Sequence, residues 1–279
     1  MTALNEVGLI ASREIRKNLR SVKGLVMVIL SLLGAIAVAL LLVKLRKFNE
    51  MDMSAEQLRA GQEFVLSKKY DDEQLGKYLA GAPAVLTSLM FMTIWLSPLL
   101  VAALGFDGIS GELQHRSVRY WMVRARRGSY FAGKVIGLWT VVAAITLVMH
   151  VLIWIVTLIQ GGTGTAGASE TLSWGVHFYL VTLPISAAWC GIATLISSRC
   201  RSPIFAIFVT SAIFAALWVV YIVGEVAQVK ALTFLYPNSY DAWLLSPRID
   251  RVALGAFVCF AISAFTTGLG TFFFTRSDV

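Results

Sequence analysis

Residues 24–43 read GLVMVILSLLGAIAVALLLV, twenty positions without one Asp, Glu, Lys or Arg. At about 1.5 Å of rise per residue such a helix spans about 30 Å, the thickness of a bilayer's hydrocarbon core. Five further runs, 83–105, 135–159, 174–197, 203–224 and 252–274, likewise lack all four charged residue types. Lipid offers no water to pair with a bare backbone group, so only helices and closed barrels cross it. These runs are too long and too uniformly apolar for barrel strands. The reading is an all-α membrane protein, one transmembrane domain over residues 1–279 with six transmembrane helices.

Composition points the same way. The chain is 57% hydrophobic and 14% charged, where a soluble domain carries roughly a quarter charged residues. A net charge of +8 would suggest nucleic acid in a soluble protein. Here the bases follow the spans, and no nucleic acid partner is expected. Cys190 and Cys259 fall inside apolar runs and Cys200 in a short basic turn, so no disulfide framework or metal cluster is indicated.

Lysine and arginine favour the cytoplasmic ends of spans. Segments 1–23, 106–134, 198–202 and 275–279 together hold fourteen of the 24 bases, and the alternate segments hold ten. Seven of those ten lie in 44–82, where seven acids from Glu50 to Glu73 balance them. Both termini are therefore expected in the cytoplasm, against the contrary signal of Lys44, Arg46 and Lys47 directly after the first span. The 23-residue leader is long for the charged region of a signal peptide, and its small-residue run, Ala35 to Ala39, is followed by more leucine, so no cleavage is expected.

Between the spans lie segments of distinct character. Residues 4–22 form an amphipathic helix: Leu4, Val7, Ala11, Ile15, Leu19 and Val22 fall on one side, and Arg13, Arg16, Lys17 and Arg20 opposite. Such a helix before a span lies in the membrane interface; simple anchoring and an elbow touching a cytoplasmic partner fit equally. Segment 106–134 reads FDGISGELQHRSVRYWMVRARRGSYFAGK, with six bases and two acids, and with Tyr120, Trp121, Tyr130 and Phe131 among its aromatic residues. Glu112 and Arg116 have the i, i+4 spacing of a helical ion pair, and Gly128 and Gly133 are read as breaks before the third span. Two short helices with an aromatic side make a docking surface; a solvated basic loop is the alternative.

In the outer loop 44–82, Ser54-Ala-Glu-Gln57 and Asp71-Asp-Glu-Gln74 resemble capping boxes and suggest a helical hairpin. Segment 225–251, too short in its apolar part to cross and interrupted by Pro237 and Pro247, fits a re-entrant or interfacial element or an ordinary surface loop.

Sites of chemistry are scarce. Gly128-x-x-x-x-Gly133-Lys134 matches the start of a phosphate loop, but Val135 stands where Ser or Thr must hold magnesium, and the segment enters a span. The chain is thus expected to lack its own ATPase site. His150 and His177 differ too much in depth to share a haem, and no HExxH, GxSxG or intramembrane carboxylate pair is present. His150 should face the bundle interior, either in an interhelical hydrogen bond or on a substrate path. Pro98 and Pro184 would kink the second and fourth spans.

The order of these parts resembles the type-2 ATP-binding cassette (ABC) exporter permeases of bacteria along the whole chain. The resemblance rests on the basic elbow helix with Arg13-Glu14 and on Asp107-Gly-Ile-Ser-Gly-Glu112. It continues with the small residue Ser117, the basic cluster, Gly133-Lys134, and the tail Phe274-Thr-Arg-Ser-Asp278. Three positions depart from the family's pattern: Arg116 replaces a usual glycine, Arg119 a frequent acid, and Ala125 a usual proline.

The resemblance implies a multi-pass subunit of the bacterial cytoplasmic (inner) membrane, paired with a second copy or a related permease and with two ATP-binding subunits that carry ATP and Mg. Asp107, Glu112, Arg116 and Arg126, supported by Arg13, Arg16 and Arg20, would couple ATP binding to a switch between inward-open and outward-open states, giving export. Two alternatives stay open: a machine passing strokes to an extracytoplasmic partner through the 44–82 loop, and a membrane scaffold or enzyme subunit without any ATPase.

Overall fold

A computed structural model describes residues 2–52, 55–159 and 167–276, and all regular structure in them is helical. The chain opens with α1 (Ala3–Arg20), which meets α2 (Val22–Asp52) at a 69° bend. Ser21 makes the corner: its backbone is extended, its N–H donates to the Lys17 carbonyl, and its hydroxyl donates to the Asn18 carbonyl while accepting from Gly24 N–H. Gly24 is what lets the corner close, because a Cβ there would sit 1.7 Å from the Asn18 carbonyl oxygen.

A hairpin of α3 (Ala55–Tyr70) and α4 (Glu73–Ala80) follows. Asp72, not Asp71, caps α4 by accepting from Leu75 N–H at 3.1 Å; with Leu75 at the third helical position there is no return bond, so the second capping box is replaced by a simple cap. The first falls on Ser54, outside the described residues.

Among the described residues five helices are long and apolar enough to cross a membrane, α5 (Ala84–Gly105), α8 (Arg127–Ile159), α9 (Ala168–Arg199), α10 (Pro203–Val226) and α13 (Ile249–Arg276), and the bent pair α1–α2 makes a sixth when counted as one span. Between α5 and α8 lie the short α6 (Ser110–Gln114) and α7 (Val118–Arg124). The most enclosed span is α9, which packs on α5, α8, α10 and α13 with Ile185, Ala188, Trp189, Cys190 and Ala193 fully buried. By contrast α2, α10 and α13 turn large apolar side chains outward, among them Leu33, Phe208 and Phe257. In water that would be costly; against acyl chains it is the expected boundary. Glu6 meets Arg126 and Arg127 meets Thr275, so α1, the 106–127 segment and the end of α13 share one end of the bundle.

Helix α8 corrects one expectation. It begins at Arg127 and runs through Gly128 and Gly133 without a break. Gly133 instead lets α1 lie flat against α8: a Cβ there would fall 2.7 Å from Ile10 Cβ, and one at Gly137 would fall 2.7 Å from Glu14 Cβ. The Gly-x-x-x-Gly spacing serves close helix approach.

At the opposite end, segment 225–251 forms α11 (Lys230–Thr233), a 3-10 turn (Pro237–Tyr240) and α12 (Asp241–Leu244). It inserts into the bundle, burying Tyr236, Asn238, Tyr240, Leu244 and Leu245. Pro98 has no N–H for the Ile94 carbonyl four residues back. Asn238 Nδ2 donates to that carbonyl at 2.9 Å, joined by the Ser97 hydroxyl, while Asn238 Oδ1 accepts from the Trp189 indole. The α3–α4 hairpin is tied to the same region, since the Tyr70 hydroxyl donates to Asp241 at 3.1 Å, Lys69 lies 3.7 Å from it, and Arg251 reaches Asp72. Burial pushes the Asp241 carboxyl up and the Lys69 ammonium down from their ordinary values.

Candidate functional site

The basic end of the bundle holds the densest charge chemistry in the described chain. Helix α8 presents Tyr130, Phe131, Lys134, Gly137 and Leu138 as one buried face, and Lys134 is the single charge in it, 4% exposed. Its ammonium bridges two carboxylates, Glu14 Oε2 of α1 at 2.6 Å and Glu112 Oε1 of α6 at 2.7 Å. The Tyr130 hydroxyl donates to Glu112 Oε2 at 2.8 Å, and Asn18 Nδ2 donates to Glu14 Oε1 at 3.3 Å. Every carboxylate oxygen is therefore engaged, which is the condition under which buried charge is tolerated. Arg13 completes the balance of two acids and two bases: its guanidinium lies 3.8 Å from Glu112 and 4.3 Å over the Trp121 ring of α7.

A second knot joins the α1–α2 corner to the end of α5. Lys23 pairs with Asp107 and donates to the Leu104 carbonyl at 2.9 Å, while Lys17 approaches Asp107 at 3.8 Å. Ser197 of α9 fixes the turn between α5 and α6. Its oxygen accepts from Ile109 and Ser110 N–H, both at 3.1 Å, and its hydroxyl donates to the Phe106 carbonyl. The short α6 is thus held from α1, α8 and α9 together.

The expected site residues divide. Asp107, Glu112 and Arg13 enter these knots. Arg16 and Arg20 are exposed on α1, and Arg126 is exposed, its backbone N–H donating to Glu6 Oε2 at 3.2 Å. The Glu112–Arg116 helical pair does not form, because α6 ends at Gln114 and Glu112 turns inward to Lys134. Arg116 sits on the exposed turn between α6 and α7 with φ of 54°. That left-handed backbone is where glycine is at ease, which gives the Gly-to-Arg departure at this position a physical meaning. Around it Arg119, Tyr120, Val123 and Arg124 are exposed, making a basic and aromatic surface.

His150 is buried but makes no interhelical hydrogen bond. Its Nδ1 lies 2.8 Å from the Thr146 carbonyl of its own helix, and its ring packs edge-on against Tyr179 of α9. A carbonyl only accepts, so Nδ1 carries the proton and Nε2 is left without a hydrogen-bond partner. Nearby, a groove of about 520 Å³ runs between α2, α5, α8 and α10. Its apolar walls carry the hydroxyls of Ser31, Thr93, Ser97, Thr146 and Ser211, and His150 is not among its lining residues. Among the described residues no group of His, Cys, Asp and Glu is placed to hold a metal ion.

Glu14, Lys134, Tyr130, Asn18 and Lys23 were missed as site residues. Two signals were available. Asn18 falls between Val7 and Ala11 on the helical wheel of α1, inside the supposed apolar face, and Glu14 lies at its edge beside Val7. Lys134 heads a 25-residue uncharged run beside a Gly-x-x-x-Gly spacing.

A family model described as ABC-2 family transporter protein matches residues 9–267 of the chain. No curated protein sequence gives a match.

Proposed function

Because the chain belongs to the ABC-2 transporter family, and so is the membrane component of an ABC transporter with a separate ATP-binding partner, we propose that it is the permease subunit of an exporter and forms its translocation path. In this reading α6, α7 and the turn at Arg116 dock the ATP-binding subunit, where ATP and Mg are held, and both termini are cytoplasmic. Closure of the ATPase pair moves α6, and the Glu112–Lys134–Glu14 seam passes the movement to α8 and α1. Two copies, or this chain and a related permease, enclose the path in a bacterial inner membrane. The groove between α2, α5, α8 and α10 lines that path in place of His150.

The observation that carries this reading is the contrast within one short segment. Glu112 of α6 is buried, hydrogen-bonded to α8 and ion-paired with Arg13 of α1, while Arg116, Arg119, Tyr120 and Arg124 a few residues away are exposed. One side receives and the other transmits.

The test is to reverse the surface with Arg116→Glu, Arg119→Glu and Arg124→Glu together. Exposed substitutions of this kind leave stability within about ±0.5 kcal/mol each. The variant should fold but lose co-purification with its ATP-binding subunit, and ATPase stimulation with it. Retention of both would remove this surface from the docking role.

The anchored hairpin favours a second reading. Hydrogen bonds and ion pairs of Lys69, Tyr70 and Asp72 with Asp241 and Arg251 make α3–α4 a firm handle on the bundle, as stroke transmission to an extracytoplasmic partner needs. Deleting residues 50–80 separates the two readings. An exporter keeps transport, whereas a transmitter loses its partner while keeping ATP hydrolysis.

A further inference from the structure

A second groove, of about 650 Å³, runs along the outside of the bundle between α8 and α13 near the basic end. Its floor is built from small side chains, Ala132 on α8 and Ala264, Gly268 and Thr271 on α13, and its walls are Val135, Ile136, Phe260 and Phe272. The floor hydroxyls are already committed within their helix, Thr267 to the Ser263 carbonyl and Thr271 to the Thr267 carbonyl. The trough is therefore apolar in effect and open toward the bilayer, a shape an acyl chain fills.

What distinguishes it from an ordinary lipid-facing furrow is its mouth. Arg127, at the start of α8, donates to the carbonyls of Phe274 and Thr275, and Thr275 lines the groove. Arg276 lies 4.2 Å over the ring of Phe272, another lining residue. Among the described residues neither arginine pairs with a carboxylate within 4 Å. Arg127 spends one nitrogen on the end carbonyls of α13 and keeps further N–H donors, and a planar guanidinium is the preferred partner of a phosphate. Two cations thus stand at headgroup depth above an apolar trough.

We propose that this groove is a binding site for an anionic phospholipid, with its phosphate between Arg127 and Arg276 and one acyl chain along Ala264, Gly268 and Ala132. The bound lipid would brace the ends of α8 and α13, which carry Lys134 and the chain terminus. The site stands apart from the transport reading, since it requires only that α8 and α13 cross a bilayer.

Electron spin resonance of the full chain in phosphatidylcholine vesicles, containing spin-labelled phosphatidylglycerol or spin-labelled phosphatidylcholine, tests it. The native chain should immobilise the anionic lipid preferentially. Each arginine is expected to contribute about fivefold to that preference, so Arg127→Gln with Arg276→Gln should abolish it. Gly268→Leu supplies the independent arm. A Cβ at Gly268 meets nothing within 4 Å, so the leucine enters the groove without forcing the helices apart. It should remove the immobilised anionic lipid with both arginines intact. Equal immobilisation of the two lipids by the native chain would overturn the proposal, as would a preference that survives Gly268→Leu.

Discussion

Lys134 is the residue on which the basic end balances. Its ammonium is the nearest positive charge to both Glu14 and Glu112, at 2.6 and 2.7 Å, whereas Arg13 is half-exposed and 3.8 Å away. Removing one partner of a buried ion pair costs about 3–5 kcal/mol, because the remaining charge stays buried without compensation. Lys134→Met should therefore lower thermal stability in detergent by that order. Neutralising the acids as well, with Glu14→Gln and Glu112→Gln in the same chain, should restore most of it. Both amides can still accept, from Asn18 and from Tyr130. The repaired protein should nevertheless show weakened ATPase stimulation by cargo, since a charged bridge between three helices has been replaced by separate neutral contacts. A triple variant as unstable as Lys134→Met would show that packing, not charge, holds the seam.

At the scale of elements, the spans were legible because each uncharged run meets lipid or apolar neighbours over its full length. Their partners were not. Glu14 and Lys134 are 120 positions apart and Asn238 and Ile94 are 144 apart, so nothing local in the sequence names either pair. The apolar face of α1 was misread for the same reason. Leu4 and Leu19 face outward, while Glu14 and Asn18 lie in the buried stripe, because α1 packs against a glycine-lined, lysine-bearing face of α8. Pro98 was read as a kink, but the group that answers it lies in the segment left open between surface loop and re-entrant element. Asn238→Leu should destabilise the protein by about 1–3 kcal/mol, chiefly by leaving the buried Trp189 N–H unpaired, since Ser97 still serves the Ile94 carbonyl. In a Trp189→Phe background the same change should cost clearly less. Thermal unfolding of the four proteins of this cycle decides it, and strictly additive losses would mean that the indole bond contributes nothing.

For the whole molecule the proposed coupling to an ATP-binding partner makes a prediction about which interior surface moves. One end of the bundle is tied through Lys134 and Asp107, and the other through the inserted Asn238 and the anchored hairpin. The groove between α2, α5, α8 and α10 is bounded by α2, α5 and α8, which the ties at the basic end engage through Lys23, Leu104 and Lys134, and α5 is also held by Asn238 at the other end. Motion at the basic end should therefore open or close it. The chain is well suited to a thiol experiment, because Cys190, Cys200 and Cys259 are all buried and give low background labelling. Gly34 lines the groove with free space where a Cβ would go, so Gly34→Cys adds a probe without strain. With the ATP-binding subunit bound, its maleimide labelling rate should differ severalfold between the nucleotide-free complex and one trapped with a non-hydrolysable ATP analogue. That difference should vanish in the Arg116, Arg119 and Arg124 reversal, where the partner is absent. A rate indifferent to nucleotide would mean that the groove is static packing space and that the cargo path runs elsewhere.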